Sequence, residues 1–502
     1  MAAVRVLARE TLLLVAMLWI AGSDASALSV EIGLSFTGRV APPSGAPPDT
    51  MGAVGEEHIV ELLNGGLAVY AKGDGTLLER TLPLDAFWEE AGVTPVGASF
   101  DPRVLYDAAS QRWFAVAVDG GVEAGGPTSP VTNRFLVAVS DTSDPTERWT
   151  GFAIDSDSTD SYWADFPRLG LDAEGAYLAA AMFPVSGGSV RGNTLVVIPK
   201  DDLLAPTPTV AGSTLFERRS LALSGFDPQP VVDLDGGGLP TKLYSGTLGF
   251  FGQIQVSTIG ATVEAPTYTG GGLIAIDALP PPPDAEQPGL KPNLDSGDSR
   301  FASSIVRRNG IDWAVQSVEV DGRAAVQWLQ LDPENDIVLD SGVIADPTLD
   351  LIYPSIAVNE FDEIVIGMSG SSETDFPGAY AIAGAVVGGV TTFGDLILLQ
   401  AGLADYERIN GNPPRNRWGD YSATVVDPED PRHFWTFQEY VYARDTHAIR
   451  ITELIVPESE TLALLFLGLL GLARHRSRSD GSQEISSTAC GSCAHGAGSW
   501  PK

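Results

Sequence analysis

The feature that most constrains this chain is a stretch that recurs seven times. An aspartate or aromatic residue, often followed by proline, opens a short apolar run. Asp101-Pro102-Arg103-Val104-Leu105-Tyr106 and Asp165-Phe166-Pro167-Arg168-Leu169-Gly170-Leu171 show it most fully. Related openings stand at Asp227-Pro228-Gln229, Tyr353-Pro354-Ser355 and Asp420-Tyr421-Ser422, with weaker copies near Asp49 and Phe301. The starts are separated by 52, 64, 62, 74, 52 and 67 residues. Self-similarity on this scale means a propeller or a solenoid.

The unit from Asp101 decides between them. Residues 103–106, 113–118, 135–140 and 149–154 are four apolar runs of strand composition, separated by turn clusters. Four aromatic-rich strands per repeat describe a propeller blade; a β-solenoid needs shorter, more regular rungs and ranks second. The unit from Tyr353 repeats the pattern through 364–368, 380–387 and 393–399. The reading is therefore an all-β propeller of six or seven four-stranded blades over residues 28–455. The last blade lacks an outermost strand of its own, and 28–36, with alternating Val30, Ile32 and Leu34, is placed to supply it and close the ring. Two stretches interrupt the blades, a Gly/Pro loop at 120–130 and an extended polyproline loop at 279–284.

Composition agrees. Gly 55 and Pro 35 imply frequent turns, and no helical periodicity of useful length appears in the body. The formal charge of −35 repels nucleic acid, so DNA and RNA are excluded as partners; a well-solvated surface accounts for it. Both cysteines, Cys490 and Cys493, lie beyond the body, which therefore holds no disulfide. With His495 they make a weak half-site for metal or redox chemistry.

The ends read as transport signals. Arg5 and Arg9, an apolar core at 12–21 and Ala25-Ser26-Ala27 form a cleavable export signal over 1–27. Near the other end, Val456-Pro457-Glu458 precedes an apolar run at 462–473 and then Arg474, Arg476 and Arg478. At 12 residues that run is short of the roughly 20 needed to span a bilayer. A disordered tail is expected at 479–502.

Candidate chemistry is sparse. The body has three scattered histidines, His58, His433 and His447, and no G-x-S-x-G elbow, P-loop or dinucleotide fingerprint. Asp101, Asp165, Asp227 and Asp420 all stand at blade openings near the central channel, with Arg103, Arg168 and Arg417 close by in sequence. Such an acidic-basic ring suits a charged sugar, or paired carboxylates for glycoside hydrolysis; caps on inter-blade turns are the plainer reading and the favoured one. Asp295, Asp298 and Arg300 join the candidate channel or ligand site. Asp155, Asp157 and Asp160 have spacing that suits calcium, without the closing glutamate of a twelve-residue loop, and a solvated turn is favoured there too.

The segment 456–478 resembles the PEP-CTERM sorting signal read by membrane exosortases. Val456-Pro457-Glu458, the apolar run and the three arginines carry the likeness; Ser459 stands where the family has a second proline. The body resembles secreted bacterial propeller-like proteins that carry such tails. The matching stretches are Pro48-Asp49-Thr50-Met51-Gly52-Ala53-Val54-Gly55, Leu294-Asp295-Ser296-Gly297-Asp298-Ser299-Arg300 and Arg417-Trp418-Gly419-Asp420-Tyr421-Ser422. The resemblance implies transient handling by an exosortase, a transient inner-membrane hold through 462–473, and export to the surface or surroundings of a Gram-negative bacterium. It brings no catalytic residues. Two functions follow as expectations: a surface or matrix propeller binding a polysaccharide or protein partner, or a sialidase-like glycoside hydrolase using channel carboxylates. The absence of a sialidase Asp box and of a nucleophile motif favours the first.

Overall fold

A computed structural model describes residues 28–40, 47–120, 133–246, 249–411 and 413–457. The export signal 1–27, nearly all of the loop 120–130, and the C-terminal signal from Glu458 onward with the tail 479–502 lie outside the described residues. One compact unit ends at Val456 and a second begins at Pro457.

The first unit is a seven-bladed β-propeller. Blades 1, 2 and 3 are antiparallel four-stranded sheets over residues 51–82, 99–155 and 162–219. Blades 4 and 5, over 229–275 and 305–344, form one eight-stranded sheet, because their innermost strands Gln229–Asp233 and Ile305–Arg308 pair in parallel. A buried ion cluster locks that seam. Arg307 reaches Asp312 at 2.6 Å and Asp233 at 3.2 Å, and Tyr244 donates to Asp312 at 2.8 Å. Blade 6 spans 350–400. Its outer run, expected as one strand over 393–399, is two short strands, Val390–Phe393 and Ile397–Gln400, which both pair with Gly378–Val387. The run is broken at Gly394, whose N–H turns to the Ala383 carbonyl at 2.9 Å.

Blade 7 closes the ring. Ala423–Val426, His433–Ala443 and Thr446–Ile455 supply three strands, and Glu31–Val40 adds the fourth antiparallel to Thr446–Ile455. Joining the first strand to the last blade gives the ring a closure that no disulfide provides. The junction is bonded through side chains too: Leu34 N–H donates to Glu453 at 2.9 Å, and Ser35 meets Thr452 at 2.8 Å. Val456, with which the sorting segment read from sequence begins, packs against the propeller. It is 1% exposed, packs with Phe434 and Leu454, and its N–H donates to the Arg432 carbonyl at 2.9 Å.

The core lies between neighbouring blades, where inward residues of adjacent sheets interdigitate around Trp113, Trp313 and Trp435, each at most 1% exposed. Two long connections cover one side of the channel, residues 276–304 and 401–422. They are tied to each other: Asp295 N–H donates to Asn416 at 2.9 Å, Gln287 to the Tyr406 carbonyl at 2.8 Å, and Asn416 to the Pro292 carbonyl at 3.0 Å. The polyproline loop opens the first of them. Among the described residues no helix is long and apolar enough to cross a membrane.

Candidate functional site

All the innermost strands begin at the same end of the axial channel. In six of them a residue just before or within the first half of the strand has an unusual backbone: Asp49, Asp101, Phe166, Asp227, Tyr353 and Asp420 have φ of 51°, 52°, 59°, 54°, 51° and 70°. Aspartate tolerates this left-handed region better than most residues, which explains its recurrence at these openings. In three blades the pairing register slips here, between Phe100 and Arg103, between Asp165 and Arg168, and between Ile352 and Ser355. A bulge of this kind re-aims side chains that strict alternation would send elsewhere. Proline follows the left-handed residue in four blades, where the bulge asks for no ladder N–H.

The result is a pocket of about 360 Å³ at the channel mouth. Asp49, Asp101, Asp165, Asp298 and Asp420 line it, with Arg300 and Arg417 between them and Phe166, Phe183 and Phe226 as apolar walls. Phe183 is backed by Trp163, stacked at 5.2 Å with 28° between the rings. Asn64 bridges two of the aspartates. It donates to Asp49 at 2.5 Å and accepts from the Asp101 N–H at 2.8 Å. Asp101 in turn accepts from the Phe166 N–H at 3.1 Å, so blades 1, 2 and 3 are linked around the mouth.

The arginines sit in fixed pairings. Arg300 donates to both oxygens of Asp298, at 2.9 and 2.8 Å, and reaches Asp227 at 3.2 Å. Arg417 pairs with Asp420 at 2.5 Å and lies 3.6 Å from Asp295, which also takes Arg415 at 2.9 Å. Crowding shifts the acids in opposite directions. Burial, then the neighbouring Asp101 carboxyl, pushes Asp49 and Asp165 well above the usual carboxylate range. Burial likewise raises Asp420 to about 6 against the pull of Arg417. Burial also acts on Asp298, but the charge and hydrogen bonds of Arg300 overcome it and hold that acid low.

Beneath the mouth the channel is plugged. Arg103 donates to the Pro167 and Ala302 carbonyls, both at 3.0 Å, and lies 3.4 Å over the Tyr421 ring. Arg168, fully buried, pairs with Asp227 through contacts of 3.1 and 2.5 Å and also reaches the Ala302 carbonyl. Ser303 and Ser422 complete the floor through bonds to backbone carbonyls across the axis. Below it lies a second cavity of about 390 Å³, lined by Leu105, Leu171, Val232, Val306, Ala357 and Val426 among others.

The ten channel residues named from sequence thus fall into one connected network. Asp101, Asp165, Asp298, Arg300, Arg417 and Asp420 line the mouth; Arg103, Arg168 and Asp227 form its floor; Asp295 flanks it through Arg415 and Arg417. Asp49, Asn64, Tyr353, Arg415 and Gln316 also line the mouth and were missed. Asp49 and Tyr353 carried a signal, as openings of repeats. The Arg417-Trp418-Gly419-Asp420 turn is held by Glu439, which accepts the Gly419 N–H at 2.9 Å. Gly419 has φ +67°, and a Cβ there would come within 2.4 Å of the Tyr353 ring.

The Asp155, Asp157 and Asp160 turn is different. Asp157 is turned inward to accept the Ser161 and Tyr162 N–H groups at 2.9 and 3.0 Å, and it pairs with Arg218 at 3.3 Å. Among the described residues no group of three His, Cys, Asp or Glu could hold a metal ion. The geometry of this turn is that of a capped surface turn.

No protein-family profile matches the chain, and no curated protein does. Solved structures similar to it include Trypanosoma rangeli sialidase in complex with the inhibitor DANA, 11% identical over 84% of this chain and 62% of that one, with a TM-score of 0.34. Phage phi92 endosialidase is 9% identical over 70% and 66%, with a TM-score of 0.38. Drosophila Plexin A in complex with Semaphorin 1b is 9% identical over 86% and 88%, with a TM-score of 0.34. The chain spans less than two-thirds of that Trypanosoma rangeli sialidase. Its own propeller architecture stands on the sheet order described above.

Proposed function

We propose that this is an exported propeller of the cell surface or extracellular matrix whose mouth binds a saccharide, on a polysaccharide or a surface protein, without turning it over. The observation that supports this reading is the mouth itself, a pocket whose polar groups converge among three phenylalanine rings. Small-molecule sites combine apolar walls with a few placed polar groups in this way. A second reading, an extracellular glycoside hydrolase, draws on the acids: Asp165 and Asp420 are raised while Asp298 is held low, and carboxyls pushed apart in this manner suit acid and base roles. A glycan array run beside a hydrolysis screen separates the two. Binding without product is expected, and turnover abolished by Asp165→Asn or Asp420→Asn would establish the hydrolase.

Sorting by an exosortase, with a transient membrane hold through 462–473, belongs to the same proposal. The burial of Val456 agrees with it, since the propeller's last packed residue immediately precedes Pro457. Mature protein recovered from cells should end near Pro457-Glu458. Intact mass spectrometry that found residues 479–502 still attached would sink this part of the proposal.

A further inference from the structure

We propose that the saccharide held at the mouth is a chain, whose further residues leave the pocket over blade 4 and stack on Phe250 and Phe251. This rests on the reading of the mouth as a saccharide site and deepens it from one sugar to a run of several. Phe250 and Phe251 are 55% and 71% exposed, the most exposed aromatic side chains among the described residues. Their rings meet edge to face, with centroids 5.3 Å apart and 77° between the planes. Single apolar side chains in water need no explanation, but a pair standing together beside a pocket is the mark of a binding surface. A pyranose ring turns C–H groups outward from its faces, and these pack on the negative face of an aromatic ring. A lone sugar in the mouth would leave the pair in water, whereas a chain covers it.

The turn that carries the pair adjoins the mouth. Gly249–Phe251 is a single 3-10 turn between Thr241–Ser245 and Gln253–Thr262, the second and third strands of blade 4. Thr241–Ser245 runs antiparallel to the innermost strand Gln229–Asp233, so it ends on the side where the mouth opens. A Cβ at Gly249 would lie 3.2 Å from Nε2 of Gln316, which lines the pocket. The turn is fixed: Gly249 N–H donates to the Gly246 carbonyl and Gly252 N–H to the Gly249 carbonyl, each at 2.9 Å, and Ile276 N–H donates to the Gly252 carbonyl at 3.0 Å. A platform held in this way has little ordering left to lose when a ligand binds. The two long connections lie elsewhere. Glu319 N–H of blade 5 donates to the Pro280 carbonyl at 2.8 Å, Glu286 N–H to Asp350 of blade 6 at 3.0 Å, and Leu403 N–H to the Val441 carbonyl of blade 7 at 2.8 Å. A chain that leaves the mouth over blade 4 keeps clear of these contacts and meets the aromatic pair.

The test is calorimetric titration of the full protein with cello-, manno- and galacturono-oligosaccharides, each as chains of about two and about six residues, long enough to separate the mouth from the pair. It is run on the native chain and on the double variant Phe250→Ser, Phe251→Ser. Both side chains are exposed, so the variant should melt with the native chain, and thermal unfolding checks this. In a series that binds, the longer chain should bind at least tenfold more tightly than the shorter. The variant should bind both lengths alike, at the affinity the native chain has for the shorter one. A longer chain that gains nothing, or a variant that keeps the gain, overturns this inference and leaves a saccharide site standing. Equal weakening of both lengths in the variant overturns it too, since the pair would then act through the mouth. Phosphatidylcholine vesicles probe the other occupant: binding by the native chain and not by the variant, with no dependence on sugar length, would assign the pair to a lipid surface and overturn the inference. If no series binds at either length, both this inference and the saccharide reading fall.

Discussion

The same seven innermost strands make both ends of the channel, yet the two ends differ in kind. Where the strands begin, the backbone is bulged and left-handed, and two long connections fold over the edge. There the lining is carboxyl, guanidinium and phenyl. Where the strands finish, they run regularly into short turns such as Asp107-Ala108-Ala109, and aliphatic side chains share the cavity lining with hydroxyls and with charged groups such as Asp107, Asp172, Lys200 and Arg308. The ends of the propeller unit also meet at this second end: Glu31 pairs with Ile455, and His433 pairs with Ile455 from the other side. A regular strand can only alternate its side chains, whereas a bulge re-aims them toward the axis. The broken end therefore carries the candidate site, and the paired residues Glu31 and Ile455 lie at the regular end.

The sharpest way to break this comparison is to remove the floor. Arg168 is fully buried against Asp227 and holds the Ala302 carbonyl, so Arg168→Met leaves a carboxylate buried with only the longer Arg300 contact. Loss of one partner from a buried pair costs about 3–5 kcal/mol. Urea unfolding should show a loss of that size, and saccharide binding should disappear with it. At the other end Lys200 pairs with Asp107 at 2.7 Å and donates to the Asp172 carbonyl at 2.8 Å. Asp107 there keeps the Ser110 N–H at 3.1 Å, so Lys200→Met should cost about 1–3 kcal/mol and leave binding intact. Equal losses of stability and of binding from the two variants would mean that the two ends are not functionally distinct.

How far these ends could be read from sequence follows from what each depends on. Blade openings were legible because Asp or Tyr followed by Pro marks a left-handed bulge locally, within three residues. Closure by the N-terminal strand was legible because the last repeat was visibly one strand short. The parallel pairing of Gln229–Asp233 with Ile305–Arg308 was not, since two short apolar strands carry no mark of which neighbour they choose. Nor was the burial of Val456, which depends on packing against Phe434 and Leu454. At the mouth, Asp101, Asp165 and Asp420 announced themselves by position in the repeat. Asn64 and Gln316 sit away from any opening, and Arg415 lies in a connection; only the folded ring brings them to the mouth. The aromatic walls were missed for the same reason. At Asp155, Asp157 and Asp160 the turn itself was legible, but not that its central carboxylate caps its own backbone.

The last difference between the ends is their response to acid. Asp420 is 17% exposed, faces Arg417, Arg300, Asp101 and Asp295, and titrates at about 6 in the fold against 3.8 for a free carboxyl. A raised folded value means that the native state keeps a proton which the unfolded chain has released. The stabilisation is complete below about pH 4 and is lost as pH rises through about 6. A shift of this size is worth at most about 3 kcal/mol. Buried His447 runs the other way, held down to about 4 by burial and by Arg408, so its contribution is present above about 6.5 and fades as pH falls toward 4. Because His447 titrates in both proteins and does not respond to Asp420, its contribution cancels in the difference between the native chain and Asp420→Asn, which reads Asp420 together with the neighbouring carboxyls it acts on, Asp49 and Asp165. Urea unfolding at pH 4, 5.5 and 7 should show the variant gaining on the native chain as pH rises, by about 1–3 kcal/mol in all. A difference that stays flat across that range would mean Asp420 is ionised throughout, and the mouth would then meet its ligand as a fixed set of charges.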